Sequence, residues 1–148
     1  MNDRDVLVRF ITESNAIEGI RRPPTDNEVA ATDVFLHLKQ PTLPDLCALV
    51  TAYEPHAIVR SQPGMGVRVG NYVAPHGGPL VVIQLESMLL DLHGTRPFTF
   101  HKRYEDLHPF TDGNGRSGRT LWLWQMIQKG RDSQLGFLHT WYYQSLER

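Results

Sequence analysis

Apolar residues recur at helical spacing along most of this chain. Val6, Leu7, Phe10, Ile11 and Ile17 predict a helix over residues 3 to 18, with Gly19 as its stop. Thr25 followed by Glu28 forms a capping box, which predicts a second helix with Val29, Val34, Phe35 and Leu38 on one side and Pro41 beyond its end. A third helix is predicted from Leu43 to about Tyr53, with Leu46, Leu49 and Val50 facing inward. The pattern changes at Ile58. Val67 and Val69 alternate with Arg68, and Tyr72 and Val73 follow Gly70-Asn71, which predicts a hairpin. One isolated hairpin has no core of its own, so it reads as a flap on a helical body. Helical spacing returns from Pro79 to about His93 and from Pro97 to Leu107. It resumes from Asn114 to about Lys129 on Leu121, Trp124, Ile127 and Gln128, and Gly130 closes that segment. Leu135, Leu138, Trp141 and Leu146 predict a last helix over residues 133 to 147. The expected fold is mainly α: about seven helices and one small hairpin, with no repeats and no linker.

Composition bounds the function classes. The chain has 148 residues, 41% hydrophobic and 21% charged, which is one globular domain's worth (1–148). A formal net charge of -1 lacks the basic field of a nucleic-acid binder. The amino terminus MNDRDVLVRF has no apolar signal core, and the longest apolar runs fall short of a membrane span. No membrane association is expected, and the location expected is cytoplasmic. Cys47, the one cysteine, sits in the apolar run LCALV and reads as a small buried hydrophobe. The histidines at 37, 56, 76, 93, 101 and 139 show no metal-binding spacing, and the three tryptophans, Trp122, Trp124 and Trp141, read as core.

The chemistry concentrates in HPFTDGNGRSGR, His108 to Arg119. Gly113, Gly115 and Gly118 have the G-x-G-x-x-G spacing of a dinucleotide loop, with Asp132 downstream. That fold needs an apolar strand before the glycines, and YEDLHPFTD is not one. The Gly-Lys-Ser/Thr of a P-loop is absent as well. The stretch still points to an anion. A helix opening at Asn114 and Gly115 presents backbone N–H groups outward, and the glycines permit close approach. Arg116 and Arg119 lie three apart at a helix start, where positive charge costs about 0.3–1 kcal/mol unless a polyanion covers it. The competing reading pairs them with acids such as Glu105 or Asp106. His108 suits a general base near neutral pH. Asp112 is a hard oxygen ligand for Mg²⁺, which takes one or two carboxylates plus substrate phosphates. Together these are the parts of phosphoryl or nucleotidyl transfer.

This stretch resembles the Fic family signature H-P-F-x-[D/E]-G-N-G-R-x-x-R at every fixed position, and the hairpin GVRVGNYVAP sits where Fic proteins carry a flap. The resemblance implies a Fic-type helical bundle with a hairpin flap at residues 64–76. It implies protein adenylylation, in which AMP moves from ATP to a target hydroxyl and pyrophosphate leaves. By matching positions, His108 deprotonates the acceptor, Phe110 anchors the loop and Asp112 holds Mg²⁺. The backbone of Gly113, Asn114 and Gly115 forms the anion hole, with Arg116 toward the β-phosphate and Arg119 on the γ-phosphate. The flap takes an extended target segment by strand addition. SNAIEG, Ser14 to Gly19, matches the family's inhibitory pattern [S/T]-x-x-x-E-[G/N], placed amino-terminally over residues 1–20. It implies that Glu18 pairs with Arg119 in place of the γ-phosphate. The motif does not assign an adenine pocket, for which Tyr142 and Tyr143 are candidates. Auto-adenylylation and a homodimer are further implications. Two other readings use the same residues: another phosphate transfer or removal of AMP on the same fold, and a nucleotide-binding regulatory partner with little turnover.

Overall fold

The computed structural model of the chain describes residues 3–130. Six helices and one hairpin follow in chain order: α1 (Asp3–Ile17), α2 (Asp26–Leu36), α3 (Leu43–Tyr53), β1 (Arg68–Val69), β2 (Tyr72–Val73), α4 (Pro79–Leu90), α5 (Pro97–Leu107) and α6 (Asn114–Gln128). The fold is mainly helical with a small two-stranded antiparallel hairpin. The helix predicted over residues 133 to 147, with Trp141, Tyr142 and Tyr143, lies outside the described residues.

Local chemistry explains the boundaries. Thr25 Oγ1 accepts the Glu28 N–H at 3.1 Å, and Glu28 Oε1 accepts the Thr25 N–H at 2.7 Å, so the capping box forms in both directions. A second box, on Thr42 and Asp45, opens α3. Helix α1 ends in a Schellman motif: Gly19 adopts φ +78°, its N–H reaches Ala16 O at 3.0 Å, and the Ile20 N–H reaches Asn15 O at 3.0 Å. That ending places Glu18 directly after the last helical residue, Ile17. In the hairpin, Arg68 pairs with Val73 and Val69 with Tyr72 across the Gly70-Asn71 turn.

Helix α6 is the centre of the bundle and packs against α1, α2, α3 and α5. It is buried on every side from Asn114 to Gln125, except at half-buried Gly115, as a helix at the middle of a core must be. Trp122 and Trp124 belong to the core, and Trp124 Nε1 donates to Leu38 O at 2.9 Å. Gln125 Nε2 donates to Leu92 O at 2.9 Å and Thr95 O at 3.0 Å, which fixes the α4–α5 turn.

Some predicted positions differ. Val34 is 64% exposed; the inner place on α2 goes to Thr32, whose hydroxyl is 2.6 Å from Tyr53 Oη and 2.7 Å from Glu28 O. Ile127 is 46% exposed because α6 leaves the core after Gln125. Helix α4 stops at Leu90, short of His93, where the Asp91 N–H turns back to Met88 O. Cys47 is half-buried beside the core, with burial pushing its thiol pKa up.

Candidate active site

A cleft of about 650 Å³ opens between the hairpin, the end of α1 and the α5–α6 junction. Glu18, Arg68, Tyr72, His108, Asp112, Gly113, Asn114, Gly115, Arg116 and Arg119 all line it. The structure thus gathers the motif residues, the flap and the amino-terminal glutamate into one place. Ser14 lies behind them, buried against Arg119.

The loop from His108 to Gly113 is held on both sides. His108 caps α5 in the left-handed conformation, φ 51° and ψ 60°, the one non-glycine residue with positive φ among the described residues. Its Nδ1 is 3.2 Å from Glu105 O. A carbonyl only accepts, so Nδ1 carries the proton and Nε2 is the basic nitrogen. Phe110 is buried and forms an isolated antiparallel bridge with Val59. Asn114 closes the loop: Oδ1 accepts the Phe110 N–H and Nδ2 donates to Phe110 O, both at 2.8 Å. Asp112 is exposed, and one of its oxygens accepts the Gly113 N–H at 2.7 Å.

Gly113 (φ +77°) precedes α6, which has no side-chain cap. The first N–H groups of a helix have no intrahelical acceptor, and here they belong to the turn starting at Asn114. A Cβ on Gly115 would collide with Glu18 Oε1. The Glu18 carboxylate therefore lies directly on the helix start, where an anion is favoured. Gly118 serves packing, since a Cβ there would meet Glu105, Tyr104 and His101.

The two arginines pair with different acids. Arg119 is fully buried; its Nη2 donates to Glu18 Oε1 at 2.7 Å and Ser14 O at 2.9 Å, and its Nε donates to Ser14 Oγ at 2.7 Å. Arg116 pairs through Nη2 with Glu54 at the end of α3, and its guanidinium carbon sits 5.5 Å from the centre of the Tyr53 ring. Its Nε and Nη1 are buried without a hydrogen-bond partner among the described residues. The acids paired with the arginines are thus Glu54 for Arg116 and Glu18 for Arg119. Burial pushes the Tyr53 phenol up to about 12, so it stays protonated.

Several contributors carry no sequence signal. Glu54 precedes Pro55 with no motif around it. Tyr72 Oη donates to Asp106 O at 2.7 Å and ties the flap to α5. Arg60 is fully buried and joins the flap to the loop. Arg68 is exposed on the flap and faces the cleft. His101 is buried, with Nδ1 3.0 Å from Gly118 O; burial, helped by the charge of Arg119, lowers its pKa to about 3. His37, His56, His76 and His93 are exposed, and His139 lies outside the described residues. Among the described residues, no group of three or more His, Cys, Asp or Glu side chains can hold a metal ion. No described helix is long and apolar enough to cross a membrane.

Fold and cleft together define a helical domain built around a loop-to-helix junction that opens on the cleft. Residues 72–126 match the model of the Fic/DOC family, and this match supports a Fic family protein. The matched segment holds β2, α4, α5, the whole His108–Arg119 motif and most of α6. No curated protein matches the chain significantly. A Fic/DOC domain points in general to AMPylation or a related nucleotidyl transfer, and enzymes of the family generally use ATP and Mg²⁺.

Proposed function

We propose that this protein is an autoinhibited adenylyltransferase that moves AMP from ATP to a serine, threonine or tyrosine hydroxyl of a target protein. The observation that carries the proposal is the Glu18–Arg119 contact, made against Gly115 at the start of α6. A carboxylate already occupies the place where the helix start and a buried arginine favour a phosphate.

In the reaction, His108 Nε2 takes the proton of the target hydroxyl. The hydroxyl oxygen bonds to the α-phosphorus, and the bond from that phosphorus to the bridging oxygen breaks. Pyrophosphate leaves with the electron pair. The backbone at Gly113, Asn114 and Gly115 bears the charge of the displaced phosphates, and Arg116 has buried N–H donors to give them. Arg119 takes the γ-phosphate once Glu18 moves away. Asp112, an exposed carboxylate on the cleft, suits Mg²⁺, which neutralises phosphate charge when bound. The flap holds the target segment by strand addition along exposed β1 or β2.

Inhibition follows from the same geometry. The Glu18 side chain is 39% exposed, so it can swing into solvent, whereas Arg119 is fully buried and stays. With Glu18 in place the γ-phosphate has no partner, and the α-phosphate lies out of line for attack. The test is auto-labelling with radioactive ATP, followed by the mass of the modified residue. Glu18→Gly raises labelling with an added AMP, and His108→Ala abolishes it. Labelling that does not respond to Glu18→Gly sinks the inhibition, and an added phosphate alone sinks the AMP transfer.

A further inference from the structure

Arg60 is a buried charged residue outside the motif with four side-chain hydrogen bonds. It is fully buried, and its partners are carbonyls. Nε donates to His108 O at 2.6 Å, and Nη2 donates to Leu107 O at 2.8 Å. Nη1 donates to Met65 O at 2.8 Å and to Pro75 O at 2.7 Å. Met65 precedes β1 and Pro75 follows β2, so Nη1 grips both legs of the flap while Nε and Nη2 grip the end of α5. The backbone adds two ties: the Arg60 N–H reaches Pro109 O at 2.8 Å, and Arg60 O accepts the Gly78 N–H at 3.0 Å.

We propose that Arg60 is a positioning residue that locks the base of the flap and His108 into one unit, so that target docking and proton transfer share one frame. A buried charge is retained only where hydrogen bonds compensate its lost hydration. Arg60 uses the planar fork of a guanidinium to serve four carbonyls on two segments, more than the three donors of an ammonium can reach. The His108 end has a particular need of it. A left-handed non-glycine residue persists only where its surroundings hold it, and Arg60 holds the His108 carbonyl from one side while the ring bonds Glu105 O from the other. The role of His108 as base rests on the adenylyltransferase proposal; the mechanical coupling does not.

Arg60→Lys keeps the charge and removes the fork. In protein carrying ¹³C-labelled histidine, the His108 ring signal is assigned by its loss in His108→Ala. The expected result is that this signal shifts or broadens in Arg60→Lys while the exposed His37 and His56 signals hold. In the Glu18→Gly background, kcat for auto-labelling falls on the order of 100-fold while KM for ATP holds, as expected for a misplaced base. An unmoved His108 signal in folded Arg60→Lys, or a loss confined to KM, overturns the proposal. If Arg60→Lys does not fold, amide exchange in the unaltered protein decides. The Arg60, Gly78 and Thr111 amides then share one opening free energy if flap base and loop are one unit, and separate values overturn it. Absence of any labelling by Glu18→Gly defeats the adenylyltransferase proposal alone, because the ring signal and amide exchange still test Arg60.

Discussion

Arg119 and Glu18 lie 101 positions apart in the chain, yet Arg119 Nη2 donates to Glu18 Oε1 at 2.7 Å. One end of the pair is fully buried and the other reaches solvent. The buried end is also held by Ser14 through two hydrogen bonds, so the arginine is kept in place whether or not the glutamate stays.

Glu18 is therefore the removable half. A hydrogen bond to a charged group is worth about 1.5–3 kcal/mol. At about 1.4 kcal/mol per decade, its loss raises auto-labelling by roughly 10- to 100-fold in Glu18→Gly. Glu18→Gln keeps a carbonyl acceptor but loses the charge, and its rise is smaller. Initial labelling rates of the two variants check the order; equal rates would mean that the retained acceptor contributes nothing and that the charge alone inhibits.

Ser14 stabilises the fold as well as the latch. Ser14→Ala removes the acceptor of a buried Arg119 N–H, which costs about 1–3 kcal/mol. The Ser14 carbonyl remains, so Arg119 keeps part of its anchorage. Urea unfolding is expected to show a lower midpoint, with labelling raised less than in Glu18→Gly. An unchanged midpoint would show that the hydroxyl contributes nothing.

Asn114 holds the catalytic loop through both faces of its amide. Asn114→Asp still accepts the Phe110 N–H but sets a carboxylate oxygen against Phe110 O, where the amide had donated. Leaving a buried carbonyl unpaired beside a charge costs about 1–3 kcal/mol. A melting temperature equal to that of the parent would contradict the two-point clamp.

His101 makes stability depend on pH. Its folded pKa is lowered to about 3 from an ordinary 6.5, first by burial and then by the charge of Arg119. Above about pH 6.5 neither state binds the proton, and the full stability is present. As pH falls below that value, the unfolded chain takes up a proton that the folded state refuses. Stability then drops by up to about 1.4 kcal/mol per pH unit until the folded pKa is reached. His101→Gln can still donate to Gly118 O and does not titrate, so its loss between about pH 6.5 and pH 4 is shallower. Parallel curves for the two proteins in urea would exclude His101 as the cause.

Much of the fold was legible in advance because helix signals are local. The capping residues Thr25 and Glu28, the stop at Gly19 and the Gly70-Asn71 turn each act within a few positions of themselves. Burial was less legible. Val34 had the right spacing for the core, but Thr32 took the inner place because Tyr53 and Glu28 O offered its hydroxyl partners. Periodicity marks a face of a helix; what packs against that face decides which of its residues lie inside.

The same division holds at the site. The sequence by itself determined that His108, Asp112 and the arginines would gather at a helix start, because glycines and a helix opening are short-range facts. It also marked Glu18 and Arg119 as a pair through two short motifs. Only the tertiary structure decided the acid that meets Arg116: Glu54 reaches it because α3 ends beside α6, while the end of α1 sets the Glu18 carboxylate over Gly115. It alone revealed Arg60. That residue sits in no motif, and its four side-chain acceptors, at residues 65, 75, 107 and 108, converge only after folding. A residue that bonds only to backbone carbonyls leaves no pattern in the side chains around it, and the partners of Arg60 can be read from the fold but not from the chain.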